Sequence, residues 1–164
     1  MLIKLLQYWA SRSRVEVISG HGSDTPYLVR YHLLNNRFCK LYLHYFLRSD
    51  LDDPHDHPWN FWTLMLQGAY TEELYNWRTR TFKQTRRTPV SNSLIGRKAT
   101  DIHRIITDES IEMDEFGKWR RAPMTLFFAF RKYQEWGFVE NYKDGPRWKV
   151  WSAYLAEHFG KRES

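Results

Sequence analysis

A chain of 164 residues is long enough to bury one real core, and its 8 Trp, 10 Tyr and 10 Phe supply rings to fill it. The single Cys39 excludes an intrachain disulfide framework and Cys-rich zinc modules, and fits a reducing cytoplasm. A net charge of +6 at pH 7 suits acidic partners, and with no run near the ~20 apolar residues of a spanning helix no membrane is expected among them.

The first residues place Leu2, Leu5, Leu6 and Trp9 at helical spacing, which predicts an amphipathic helix packed on the body, within a lead-in over 1–18. This stretch is short for a signal peptide. A loop follows over Ser19–Pro26, then strands over Tyr27–His32 and Lys40–Leu47, joined by a turn at Asn35-Asn36. An acidic loop, Ser49–Pro54, leads to His55-Asp56-His57-Pro58-Trp59. Asn60–Leu66 is apolar and aromatic and stops at Gln67-Gly68. Further strands are expected over Tyr70–Tyr75, Ile102–Ile106, Thr125–Phe130 and Arg147–Leu155. Thr79–Arg87 reads as a polar hairpin, Ser91–Thr100 as a turn region and Asp108–Pro123 as a protruding loop or hairpin. Many short strands with turn signals between them predict an all-β sandwich or barrel. No repeat or linker divides the chain, so one domain over 1–164 is expected, with the barrel over 27–155.

His55 and His57 share one side-chain parity on an extended segment, so both can reach one point, as two ligands of one metal must. The same parity continues through Trp59, Phe61, Thr63, Met65 and Gln67, a largely aromatic wall. His103, on a later strand, is the third candidate. Three neutral imidazoles leave positions open on a divalent ion for substrate, water or dioxygen. The competing reading sets His55 and His57 in a surface loop with Asp52, Asp53 and Asp56 as partners.

The stretch from His55 to Gly68 resembles the first motif of the cupin superfamily, a His-x-His pair followed by a Glu and then a Gly. His55, His57 and Gly68 fall on that pattern, and Phe61 stands at the Glu position. His103 fits the histidine of the second motif, whose Pro, Gly and Asn are replaced by Lys98, Thr100 and Thr107. Within the superfamily the chain looks most like a group of small single-domain proteins often encoded by phages and prophages. The residues that carry this likeness are His55–Phe61, Gly68-Ala69-Tyr70 and Glu135-Trp136-Gly137-Phe138. The resemblance implies a cupin-like double-stranded β-helix, a jelly-roll barrel, here with a short N-terminal α-helix. It also makes a homodimer plausible and, for a phage-encoded chain, places it in the host cytoplasm.

A carboxylate at the Glu position would partly neutralise a divalent ion; Phe61 cannot. The site then keeps its charge and favours an anionic ligand, unless Asp53 or Asp56 supplies the carboxylate. Asp56 has the wrong parity and reads better as an orienter of a histidine N–H or as a surface residue. Some cupins with three-histidine sites are iron dioxygenases, so by resemblance iron is favoured, with zinc, nickel or manganese as alternatives, and the expected function is dioxygenase-like, on a small anionic substrate. Around the metal, His44 and Tyr70 are candidate catalytic groups, and Arg97, Phe61, Gln67 and Trp136 candidate substrate contacts.

Two other functions stay open. One is a non-catalytic binding module for a sugar, nucleotide or nucleic acid. Its nucleic-acid form would use the basic segment 78–104, where Arg78, Arg80, Lys83, Arg86, Arg87, Arg97, Lys98 and Arg104 face Asp101 alone. Charged hairpin edges explain the same residues. The other is a metal-free sugar isomerase or epimerase with His55 or His57 as base and Tyr70 as acid.

Overall fold

The computed structural model describes residues 2–19, 26–50, 53–108, 112–113, 119–120 and 122–159. The core of the expected 19–26 loop, Asp52, most of the 108–123 segment and the tail beyond 159 lie outside the described residues. The elements are α1 (Leu2–Ala10), β1 (Arg14–Ser19), β2 (Pro26–Asn35), β3 (Lys40–Phe46), β4 (Phe61–Gln67), β5 (Tyr70–Asn76), β6 (Thr81–Arg87), β7 (Leu94–Arg97), β8 (His103–Thr107), β9 (Glu112–Met113), β10 (Trp119–Arg120), β11 (Met124–Ala129), β12 (Gly137–Tyr142), β13 (Gly145–Val150) and α2 (Trp151–Phe159).

One sheet has six strands in the order β1-β2-β3-β11-β4-β7, and a second has three, β6-β5-β8. β12 pairs with β13, and β9 with β10. Alternation along β3 explains how the large sheet serves two faces. Tyr42, His44 and Phe46 are buried toward the second sheet; Leu43 is buried on the other side, where it meets Ala10, Ile3 and Leu6 of α1. Between the sheets, Leu28, Phe46 and Met65 meet Tyr70 and Ile105. That shared core sets the sheets face to face and closes the barrel. Gly68 turns the chain from β4 to β5 at a φ of 70°, a left-handed conformation that favours glycine.

Three local expectations differ from the structure. Arg14–Ser19 is an edge strand rather than lead-in, with Val15 and Val17 exposed on it. Leu94–Arg97, inside the expected turn region, pairs with β4 as β7. The strand expected over Arg147–Leu155 stops at Val150, and Trp151 begins α2. The reason is local: Ala153, Leu155, Ala156 and Glu157 are strong helix formers. Tyr154, which continues an aromatic strand pattern on paper, instead stacks its ring on Phe138 at 4.1 Å.

Candidate metal centre

The His55–Asn60 segment is extended but mostly outside the regular sheets, held by backbone hydrogen bonds to three neighbours. His55 and His103 exchange both of theirs, at 3.0 and 2.9 Å. His57 N–H donates to Ala99 O at 3.1 Å, and Asp56 N–H to Gly137 O at 3.1 Å. This pairing brings the three histidines together. Their ring centroids lie 5.2 Å (His55–His57), 5.5 Å (His55–His103) and 5.0 Å (His57–His103) apart. One ring nitrogen from each falls within 4.8 Å of the others, so the cluster could hold a metal ion.

Asp56 fixes the segment from the opposite side. It is buried, as its parity opposite to the histidines allows, and its carboxylate accepts from Gly137 N–H (2.7 Å), Trp148 Nε1 (3.0 Å) and Gln134 Nε2 (3.1 Å). Burial raises its pKa and these hydrogen bonds oppose the rise. Asp56 is therefore neither a surface residue nor a partner of a histidine N–H. Gly137 is needed here because a Cβ would lie 2.1 Å from the Lys149 carbonyl oxygen. Asp53 accepts from the Tyr154 hydroxyl at 3.0 Å. Neither aspartate joins the metal-type cluster.

A carboxylate is present at the site, but one shell out. Glu72 of β5 is buried, and its Oε1 lies 2.8 Å from His103 Nδ1. Arg97 grips the same carboxylate with Nε at 3.0 Å and Nη2 at 2.9 Å. Burial pushes the Glu72 pKa up, but His103 and Arg97 outweigh it and hold the group at about 2. An ionised Glu72 accepts the Nδ1 proton of His103 and so leaves Nε2 with its lone pair. That Nε2 lies 2.8 Å from His57 Nε2. Bonds of ~2.1 Å from one ion to two nitrogens at right angles would set them about 3 Å apart. The donor set therefore fits a divalent ion. Burial keeps the other two imidazoles neutral, as ligands must be: the His55 pKa is pushed down to about 3, and that of His57 falls well below the ordinary value. His55 Nδ1 lies 3.3 Å from Asp50 Oδ2.

A cavity of about 70 Å³ lies beside the cluster, with Phe61, Tyr70, His44, Trp59 and Arg30 among its lining. Phe61 is buried edge-on to His57 at 4.7 Å and stacked on Phe127 at 4.9 Å, so the motif's carboxylate position is an apolar wall. Tyr70 lines the cavity, but its hydroxyl is bonded by Arg87 Nη1 at 2.7 Å, and burial raises its pKa. His44 is buried and its Nε2 accepts from Arg30 Nε at 3.1 Å. Arg97, Gln67 and Trp136 are not among the lining residues. Arg97 is committed to Glu72, and Trp136 stacks on Trp151 at 6.0 Å, beside His55.

Sequence reasoning passed over Glu72 and Arg30, and read Arg87 only as part of the basic segment. The signal for Glu72 and Arg30 is a charge at the parity of buried neighbours, Tyr70 for Glu72 and Leu28 for Arg30, which demands a buried partner. The basic segment is partly spent internally: Arg86 pairs with Asp108, Arg97 with Glu72 and Arg104 with Glu73, while Arg87 is buried against Thr63 and Tyr70.

No protein-family model and no curated protein matches the chain. Among solved structures, the polyketide cyclase RemF from Streptomyces resistomycificus is similar, with a TM-score of 0.55 and 13% identity over 82% of this chain and 85% of that chain. FeII HppE in complex with substrate is similar at a TM-score of 0.53 and 11% identity, over 74% of this chain and 58% of that chain. The hydroxypropylphosphonic acid epoxidase from S. wedmorenis is similar at 0.51 and 11%, over 74% and 56%. The chain thus spans less than two thirds of the last two. The chain shares its fold with these structures, a cupin-like, mostly antiparallel jelly-roll barrel, here with a short N-terminal helix, and within it stands a three-histidine cluster that could hold a metal. No described helix is long and apolar enough to cross a membrane.

Proposed function

We propose that this chain is a metal-dependent, dioxygenase-like cupin in which His55, His57 and His103 hold one divalent ion, iron first, beside a small anionic substrate. The observation that carries the reading is the convergence of His57 Nε2 and His103 Nε2 at 2.8 Å, with the far nitrogen of His103 fixed by Glu72. Fe(II) in HppE, on a similar fold, makes iron the first ion to try. A bound iron would supply Lewis acidity and one-electron redox chemistry.

The protein's own groups set what binds beside it. Three neutral imidazoles add no negative charge. The Glu72 carboxylate is matched by Arg97, with Arg87 Nη1 a further 3.8 Å away. Asp50 also lines the cavity, but Arg30 and Arg87 line it too, and a bound divalent ion would leave the region positive and favour an anion. Phe61 and Phe127 give the cavity an apolar wall that excludes water from one side. Tyr70, held protonated by burial, serves as a fixed wall and hydrogen-bonding group rather than a base.

The test is metal analysis of untagged protein after anaerobic loading with Fe(II). About one equivalent in wild type, lost in His55→Ala and His103→Ala variants that remain folded, supports the reading. Wild-type protein that takes up no Fe(II), Zn(II), Ni(II) or Mn(II) overturns it.

A further inference from the structure

Arg97, the arginine that the sequence offers for an anion, is bound to Glu72, so the cavity needs another cation. Arg30 lines it from β2. Its cross-strand partner is His44, whose buried Nε2 accepts from Arg30 Nε at 3.1 Å. An imidazole that accepts at Nε2 is neutral, so the pair keeps the full guanidinium charge. Glu16, half-exposed at the rim, takes Nη1 at 3.2 Å. Two of the five guanidinium N–H donors are thereby used, and Nη2 has no hydrogen bond among the described residues. The Tyr42 ring lies under the guanidinium, 5.0 Å from centroid to Cζ, and fixes its plane.

Trp59 supplies a second, independent sign. It lines the same cavity, and its indole Nε1 is buried with no hydrogen-bond partner. A buried N–H without an acceptor costs free energy that a ligand oxygen would recover. Lys40 Nζ stands 5.5 Å from that ring and adds positive potential. The two carboxylates that also line the cavity are engaged at its histidine end, Glu72 with Arg97 and His103, and Asp50 at 3.3 Å from His55 Nδ1.

We infer that Arg30, oriented by His44, and the Trp59 indole N–H form a carboxylate-recognition subsite, which admits small monocarboxylates to the cavity beside the histidine cluster. This deepens the function proposed above and rests on it for the role of the bound acid. The volume of about 70 Å³, well below the roughly 300–1,000 Å³ of ordinary ligand pockets, suits a small acid.

The experiment follows the Trp59 indole resonance, assigned through Trp59→Phe, in ¹⁵N-labelled metal-free protein titrated with acetate, glycolate or uncharged acetamide. In metal-free protein the acid cannot bind through an ion. Acetate or glycolate should shift the resonance saturably, and acetamide should not. Arg30→Gln should weaken binding at least tenfold, as expected for the loss of a charged hydrogen-bonding partner, and Arg30→Lys should restore part of it. The inference is overturned if acetamide shifts the resonance as far as acetate, if neither acid shifts it, or if Arg30→Gln binds acetate as tightly as wild type. Should Arg30→Gln not fold, the acetate–acetamide contrast in wild type decides alone. Metal uptake by aliquots of the same preparations separates the two readings. Acid binding at Arg30 in protein that takes up no metal overturns the metal centre and leaves the subsite; metal uptake with acid binding indifferent to Arg30 does the reverse.

Discussion

Among the described residues two places bring three metal-type donors within 4.8 Å of one another, His55/His57/His103 and Glu140/Glu157/His158, and only the first is built for an ion. In the second, Lys149 Nζ already lies 2.5 Å from Glu140 and 2.6 Å from Glu157, and His158 Nε2 lies 2.6 Å from Glu140. An ammonium takes the place that a cation would fill, and Glu157 and His158 are exposed. In the first, the donor nitrogens face each other and no protein cation sits among them; the arginines are one shell away, on Glu72. Proximity of donors is thus not what distinguishes a metal site. The position of the counter-charge is.

The sharpest way to break the contrast is to remove one donor from each cluster. His57→Ala or His103→Ala should abolish stoichiometric divalent-metal binding, whereas Glu157→Ala should leave it unchanged, as read by elemental analysis after dialysis. Loss of metal in Glu157→Ala alone would reverse the assignment of the two clusters.

Acid should separate metal-free protein from an ordinary β-barrel by the next largest effect. The His55 pKa is held at about 3 against an ordinary 6.5, and that of His57 is lowered in the same direction. Between those values the unfolded chain binds protons that the folded chain refuses, so stability is present above about pH 6.5 and falls as the pH drops toward 3. Glu72, held at about 2 against 4.5, adds a loss that begins below 4.5. At ~1.4 kcal/mol per pKa unit, the combined fall is on the order of a few kcal/mol. Urea midpoints from pH 8 to pH 4 measure it, and His55→Gln should flatten the slope. A midpoint indifferent to pH over that range would mean that the imidazoles are not buried neutral.

The outer carboxylate gives a smaller effect. Glu72→Gln keeps an acceptor for His103 Nδ1 but removes the charge that fixes the tautomer and holds Arg97. Metal affinity should fall roughly 10- to 100-fold, the usual cost of losing such a partner, in competition with a chromophoric chelator. Unchanged affinity would show that His103 is oriented by packing alone.

How much of this was legible follows from which residues are local to one another. His55 and His57 announce themselves because two residues on one strand parity must point together, and Thr125–Phe130 because an uninterrupted apolar run admits little else. The N-terminal helix is legible for the same reason, since Leu2 to Trp9 carries its own period. Glu72 was not legible as a partner of His103, because the pairing of β5 with β8 that joins them spans 31 residues of sequence. Spacing within a motif cannot report a carboxylate that stands on a neighbouring strand. The role of Arg97 is hidden for the same reason: the cation that the sequence offers to a substrate clamps Glu72 across the sheets. At the C-terminal end, Trp148 to Tyr154 carries aromatic strand character, and the helix prevails from Trp151 through its alanines and the docking of Tyr154.

The smallest effect uses the same chemical edit at the other cluster. Glu157→Gln removes one carboxylate from Lys149, as Glu72→Gln removes one from Arg97. Glu157's side chain is 57% exposed, whereas Glu72's is 2% exposed. Water screens the first pair, and an exposed ion pair of this kind is worth less than about 1 kcal/mol. Removing the charge of Glu72 leaves the buried Arg87 and the half-buried Arg97 without a counter-charge, which is costly in a low-dielectric interior. Glu157→Gln should therefore move the urea midpoint little, and high salt should erase even that difference. Glu72→Gln should lower the midpoint well beyond it at any salt. Equal effects of the two edits would mean that burial does not distinguish the two carboxylates, and the contrast between the clusters would fail at its physical root.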